Sequence, residues 1–235
     1  MASSGGDETS NAALQSLNTE LHAAAKAVDV VRLRAALAAG ADVDAIMPNP
    51  PFKETPLCVV VEVGDPDDVE DCSEEDRTAC VRALLEAGAN PSALVTLDGE
   101  QHEGGHQALH TAVFEGFYTI TKMLLDAGAD VNARFQDANK DNLTPLFFTT
   151  DNTDTPEDRK HRIIALLLSR GAVCTSLVSN PPPYLRKVRA AGSFANYEKQ
   201  HRAKLVAMLA PKLGHLLPPE LVSVVITFWA PVGLH

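Results

Sequence analysis

From residue 16 to residue 176 the chain alternates short apolar clusters at helical spacing with polar breaks that carry glycine. Four phrases open a cluster: TELHAAA from Thr19, TPLCVVV from Thr55, QALHTAV from Gln107 and TPLFFTT from Thr144. Four others close one: LAAGADVDA (Leu37 to Ala45), LEAGANPSA (Leu85 to Ala93), LDAGADVNA (Leu125 to Ala133) and LSRGAVCTS (Leu168 to Ser176). Each opening and closing pair predicts two helices joined by a turn. In the first helix, Leu21, Leu57, Leu109 and Leu146 are predicted to face the core, while Ala24 and Ala112 let neighbouring helices approach closely. In the second, Val31, Ala35 and Leu37, or Ile120, Leu124 and Leu125, are predicted to form the buried stripe.

The spacing is regular enough to define a unit. Leu21 to Gly40 spans 19 residues, as does Leu109 to Gly128, whereas Leu57 to Gly88 spans 31 and Leu146 to Gly171 spans 25. Units two and four thus carry 12 and 6 extra residues between their helices. These phrases resemble the ankyrin family, whose repeat of about 33 residues opens with Thr-Pro-Leu-His and closes its second helix with Leu-Leu-x-x-Gly-Ala-Asp. The connecting fingers are longer than the family pattern, at 15 residues from Gly40 to Thr55, 19 from Gly88 to Gln107 and 16 from Gly128 to Thr144. The resemblance implies an all-α ankyrin-repeat solenoid of four helix-turn-helix units joined by extended fingers, with His22 and His110 among its structural residues.

Local chemistry accounts for the recurring residue types. Thr19, Thr55 and Thr144 are placed to cap a helix by accepting an orphan backbone N–H. Pro56 and Pro145 follow at the first helical position, where no N–H is missed. Gly40, Gly88, Gly128 and Gly171 are predicted to end the second helices in a left-handed conformation. The third unit opens with Gln107-Ala108, without cap or proline, so its first helix is expected to fray. The fourth lacks Asp after Gly-Ala and has Phe147 where His is usual.

The expected organisation is a disordered tail over 1–15, a repeat domain over 16–176 (units at about 16–48, 52–96, 104–137 and 141–176), and a helical extension over 177–235. Within unit two, Asp65 to Asp76 holds eight carboxylates in twelve residues and reads as a solvated loop or an acidic contact. After Pro181-Pro182-Pro183, helices are predicted over Tyr184–Ala191, Phe194–Leu209 and Pro219–Trp229, with Tyr197, His201, Leu205 and Met208 on one side of the second. The extension is expected to fold back as a C-terminal helical cap.

Composition narrows the function. Aromatic residues make up only 5% of the chain, so the core must be built from Ala, Leu and Val, which suits closely packed helices. A net charge of −11 argues against general affinity for nucleic acid or anionic lipid. Seven Lys/Arg between Thr175 and Leu217 stand against Glu198 alone, so that segment carries about +6 and the remainder about −17. Four cysteines without a CxxC pair read as free thiols. The N-terminus has no basic start with an apolar run, and no apolar stretch reaches the ~18 residues of a spanning helix. A monomeric protein of the cytoplasm, or of the nucleus, is expected.

Three motifs invite chemistry. His102-Glu103-Gly104-Gly105-His106 fits the H-E-x-x-H zinc pattern, but a Gly-Gly pair opposes the helix that would bring both imidazoles to one face. Asp137 to Phe148 begins like a calcium loop and ends on a residue that cannot supply the closing carboxylate. Leu217-Pro218-Pro219-Glu220-Leu221 resembles the opening of an F-box, which would make the chain a ubiquitin-ligase substrate adaptor, although a capping helix explains the same residues. With no phosphate loop, nucleophile elbow or catalytic dyad in the chain, no cofactor or metal is expected and the chain is read as a non-enzyme. The resemblance implies a scaffold that binds another protein through its concave finger and first-helix surface. The candidate contacts are Ile46, Met47, Phe52 and Lys53 in the first finger, Leu97, Asp98 and His102 in the second, and Arg134, Phe135, Gln136 and Lys140 in the third.

Overall fold

The computed structural model describes residues 5–49, 52–62, 73–97, 106–136, 142–151, 155–173, 183–213 and 221. They form two compact units, Met1–Pro145 and Leu146–His235. The first holds three helix pairs: α1 (Gly5–Lys26) with α2 (Val30–Ala38), α3 (Pro56–Val61) with α4 (Glu74–Glu86), and α5 (Ala108–Phe114) with α6 (Tyr118–Asp126). First helices stack in the order α1, α3, α5 and second helices in the order α2, α4, α6, so each layer is continuous. Leu21, Leu57 and Leu109 are fully buried between the layers, as their place in the opening phrase requires.

Second helices end alike because their last turn is built alike. Gly40, Gly88, Gly128 and Gly171 have φ of +96°, +93°, +95° and +91°. The next residue's N–H then donates five residues back, from Ala41 to Ala36, Ala89 to Leu84, Ala129 to Leu124 and Ala172 to Leu167, at 2.9 to 3.1 Å. This closes a carbonyl that the helix itself leaves open. A Cβ at Gly88 would meet nothing within 4 Å, so the cost of a side chain there is conformational. Gly88→Ala is expected to lower stability by about 1–2 kcal/mol in urea denaturation, and Gly88→Asn by less.

The stripe predicted for α2 is out of phase. Val31 is 74% exposed and Ala35 is exposed, whereas Leu33 and Ala36 are buried and Leu37 is half-buried. Counted back from the closing glycine, Arg32 and Ala35 match Cys80 and Ala83 of α4, both of which are buried. α4 has α2 as a neighbour, whereas α2 is the first of its layer. Arg32 therefore stays at the surface and pairs with Glu20 at 2.8 Å. Ile120, Leu124 and Leu125 of α6 are buried as expected.

Helix starts also depart from the expectation. α1 is helical from Gly5, within the segment expected to be a disordered tail, so Thr19 lies inside a helix and its hydroxyl donates to the Gln15 carbonyl at 2.8 Å. Thr55 precedes α3, yet its hydroxyl points to Cys58 Sγ at 3.5 Å instead of capping. Thr144 is buried, and its hydroxyl has no partner among the described residues. The side chains that do cap are Asp29, which accepts from Val31 and Arg32 N–H at 3.0 Å, and Ser73, which accepts from Asp76 N–H at 3.2 Å. Ser73 makes Glu74, Glu75 and Asp76 the first turn of α4, where carboxylates favour the helix dipole, so the end of the acidic run is helix. Residues 65–72 of that run lie outside the described residues. α5 does not fray: Gln107 N–H donates to His110 Nδ1 at 3.3 Å, which replaces the missing cap, and Leu109, His110 and Ala112 are fully buried.

The second unit contains α7 (Pro145–Asp151), α8 (Glu157–Ser169), α9 (Pro183–Ala190) and α10 (Phe194–Leu213). α8 buries Ile163, Ile164, Leu167 and Leu168, and α9 buries Tyr184, Leu185 and Val188. A line of rings joins the last three helices, with centroids 6.1 Å apart from His161 to Tyr184, 5.5 Å from Tyr184 to Tyr197 and 5.7 Å from Tyr197 to His201. Burial, followed by the nearby Tyr197 and Glu198, keeps the Tyr184 phenol protonated beyond its ordinary range. The C-terminal helices thus pack on α8, and the division between compact units falls after Pro145, the first residue of α7. Met208 is exposed, so the predicted side of α10 is covered only in part.

Candidate functional site

The fingers owe their form to the recurring Gly-Ala-Asp phrase. Asp42, Asn90 and Asp130 each accept, on a side-chain oxygen, the N–H two residues on, at 3.1, 3.0 and 2.9 Å. Their carbonyls accept the N–H of Ala45, Ala93 and Ala133. The carbonyls of those alanines then take a hydrogen bond from the first helix: His22 Nε2 at 2.6 Å, Cys58 Sγ at 3.8 Å and His110 Nε2 at 3.3 Å. The first and third links span 23 residues and the second spans 35, which is 23 plus the 12-residue insertion. Cys58 is therefore the second unit's counterpart of the histidine, and burial pushes its thiol up to about 11. Buried and pointed at the Ala93 carbonyl, the thiol takes the place of the histidine in packing the turn.

From these turns the fingers extend as strands. β1 (Met47–Asn49) pairs antiparallel with β2 (Phe52–Glu54), β2 pairs with β3 (Leu94–Leu97), and β3 pairs with β4 (His106–Gln107). The first two fingers therefore merge into one four-stranded sheet, while β5 (Phe135–Gln136) and β6 (Asn142–Leu143) form a separate hairpin. Register assigns residues to faces. Phe52 lies opposite Leu97 and Val95 opposite His106, which puts all four on one face with Met47 and Glu54. Lys53, Thr96 and Leu94 belong to the other.

At the joint between sheet and hairpin, three rings meet. His106 stacks on His110 with centroids 5.7 Å apart, and Phe135 approaches the two at 5.7 and 6.3 Å. Burial, followed by the neighbouring His106, holds His110 down to about 4, and burial lowers His106 as well. His110 Nδ1 accepts from Gln107 N–H while Nε2 faces the Ala133 carbonyl, so the neutral Nε2–H tautomer fits both bonds.

The predicted contacts separate under this geometry. Ile46 is 56% exposed at the foot of the first finger, and Arg134 is exposed at the equivalent place in the third. Lys53 is half-buried on β2, and Met47, Phe52, Leu97 and Gln136 occupy strand positions. Phe135 is half-buried and committed to the histidine rings, so it belongs to the joint as much as to the surface. Asp98, His102 and Lys140 lie outside the described residues. The sequence reading missed Leu94, 44% exposed, although its place directly after the recurring Ala93 matches that of Ile46 after Ala45. It also missed Arg77, whose guanidinium Nη1 donates to the Val60 and Glu62 carbonyls at 2.7 and 2.9 Å.

The motifs that invited chemistry, the calcium-like one through 137–141 included, lie largely outside the described residues. Among the described residues no group of His, Cys, Asp and Glu is placed to hold a metal. His106, the last residue of the zinc-like pattern, is on a strand and not on a helical face, and the rest of that pattern lies outside the described residues. Of the F-box-like residues, Leu217, Pro218 and Glu220 lie outside the described residues and Leu221 is exposed. No helix among the described residues is long and apolar enough to cross a membrane.

A family model of ankyrin repeats in three copies matches residues 21–135 and 72–177. The chain belongs to the ankyrin repeat family. No curated protein matches it. Ankyrin repeats are generally protein–protein interaction modules and typically non-catalytic, and in this ankyrin protein the foot of each of three fingers carries an exposed residue, Ile46, Leu94 and Arg134.

Proposed function

We propose that the chain is a monomeric, non-catalytic scaffold of four ankyrin repeats, with α7 and α8 as the fourth, that binds a partner protein through its finger and first-helix surface. The observation that carries this reading is the row Ile46, Leu94 and Arg134, one solvent-exposed residue at the same place in three successive fingers, two of them large and apolar. The turns behind the row are fixed by the hydrogen bonds from His22, Cys58 and His110, so little conformational freedom is lost when a partner docks. Buried thiols at Cys58 and Cys80 fit a reducing compartment, and we place the protein in the cytoplasm or nucleus.

Affinity capture with the intact chain, read by mass spectrometry, tests the reading. Replacing Ile46 and Leu94 together by Ser is expected to reduce recovery of the partner at least ~10-fold, because exposed apolar anchors dominate such interfaces. The melting temperature should hold, since neither side chain is in the core. Undiminished capture by the folded double variant removes the fingers from the interface.

A further inference from the structure

The chemistry of the finger row points to the kind of segment that docks there. Ile46 and Leu94 are exposed and apolar, and the third place in the row is Arg134, exposed and without an ion pair among the described residues. Register puts Lys53 on the same sheet face as Leu94, whereas Glu54 belongs to the opposite face. The described carboxylates at the finger turns already accept backbone N–H groups: Asp42 from Asp44, Asp44 from Asn90 at 3.0 Å, and Asp130 from Asn132. The row is therefore apolar at Ile46 and Leu94 and carries a guanidinium at Arg134, on a chain whose net charge is −11.

We propose that the row binds a partner segment bearing apolar side chains followed by carboxylates, the apolar residues covering Ile46 and Leu94 and a carboxylate pairing with Arg134. This rests on the reading that the fingers are the docking surface. A planar guanidinium suits a carboxylate because it donates two parallel hydrogen bonds. The chemistry of the row also sets the register: the apolar part of the segment lies at the first two fingers and its acidic part at the third. An acidic ligand must approach against the charge of the whole chain, so its binding reports the local site and not general attraction.

The test uses the full chain and three fluorescein-labelled peptides, each with two leucine pairs followed by a run of glutamate, glutamine or lysine, read by fluorescence anisotropy. The glutamate peptide should bind best. Arg134→Glu should weaken it at least ~10-fold, while Arg134→Lys retains part of the affinity. Arg82→Glu, the same charge change on the exposed side of α4, should alter it by less than about twofold. Failure of the glutamate peptide to bind, or equal binding to the Arg134→Glu and Arg82→Glu variants, overturns the proposal. If the lysine or glutamine peptide binds instead and loses affinity on Ile46→Ser and Leu94→Ser, the acidic partner is wrong and the finger surface stands. If no peptide responds to those two substitutions, the finger reading fails with it.

Discussion

Arg77→Ala is expected to lower the free energy of unfolding by roughly 3 kcal/mol, with urea denaturation as the measurement. α3 is only six residues long and ends at Val61, where the chain turns to an extended Glu62 with ψ of 126°. The last carbonyls of so short a helix lack intrahelical partners. Arg77 comes from the start of α4, 5% exposed, and supplies donors to Val60 and Glu62 from a single guanidinium nitrogen. It thereby ties the end of α3 to the start of α4 across the 12-residue insertion. Hydrogen bonds from a charged donor contribute about 1.5–3 kcal/mol each, and truncation leaves two buried or half-buried carbonyls unpaired. Arg77→Lys should recover part of the loss, because an ammonium reaches the same region as a point charge without the planar fork. A change below about 1 kcal/mol on truncation to Ala would show that solvent serves those carbonyls equally well.

Acidification supplies the second large effect. A histidine free in the unfolded chain titrates near 6.5, whereas folding holds His110 down to about 4. Between those values the unfolded chain binds the extra proton, so stability is fully present above 6.5 and is lost as pH falls towards 4. From pH 7.5 to pH 5 the His110 contribution should drop by roughly 2 kcal/mol. His22 and His106, also lowered by burial, act in the same direction. Burial raises Glu54 and Glu115, which act in the opposite direction by taking up protons more readily when folded. His110→Gln separates these contributions. It should be less stable than the parent at pH 7.5, yet lose less on going to pH 5, because its amide does not titrate. Parallel pH profiles for the two proteins would mean that His110 is not the group responsible.

Both effects concern how the fingers and first helices are held, and the two differ in how far the sequence foretold them. His110 was legible as a structural residue, because the spacing that places it after Leu109 also places His22 after Leu21. Its depressed titration was not, because that depends first on burial by the stacked units and then on His106, which arrives from a strand in a finger of unusual length. Arg77 stands in the run Glu74-Glu75-Asp76-Arg77, which reads as a solvated charged surface. No local pattern marks an arginine whose acceptors lie 15 and 17 residues earlier.

The sequence by itself determined the unit: two helices, a glycine stop with a left-handed backbone, and a turn closed by Asp or Asn. Each of these rests on interactions within a few residues, which residue type and spacing specify directly. Phase and partnership lay beyond it. Which face of α2 is buried depended on whether a neighbour stood on that side, and α2 has one on one side only. The merging of two fingers into a four-stranded sheet required Phe52 to find Leu97, residues 45 apart in the chain, through backbone groups common to every residue type. Contacts made by backbone, or between elements brought together only by stacking, leave no periodic trace along the chain, and for that reason the tertiary structure alone decided them.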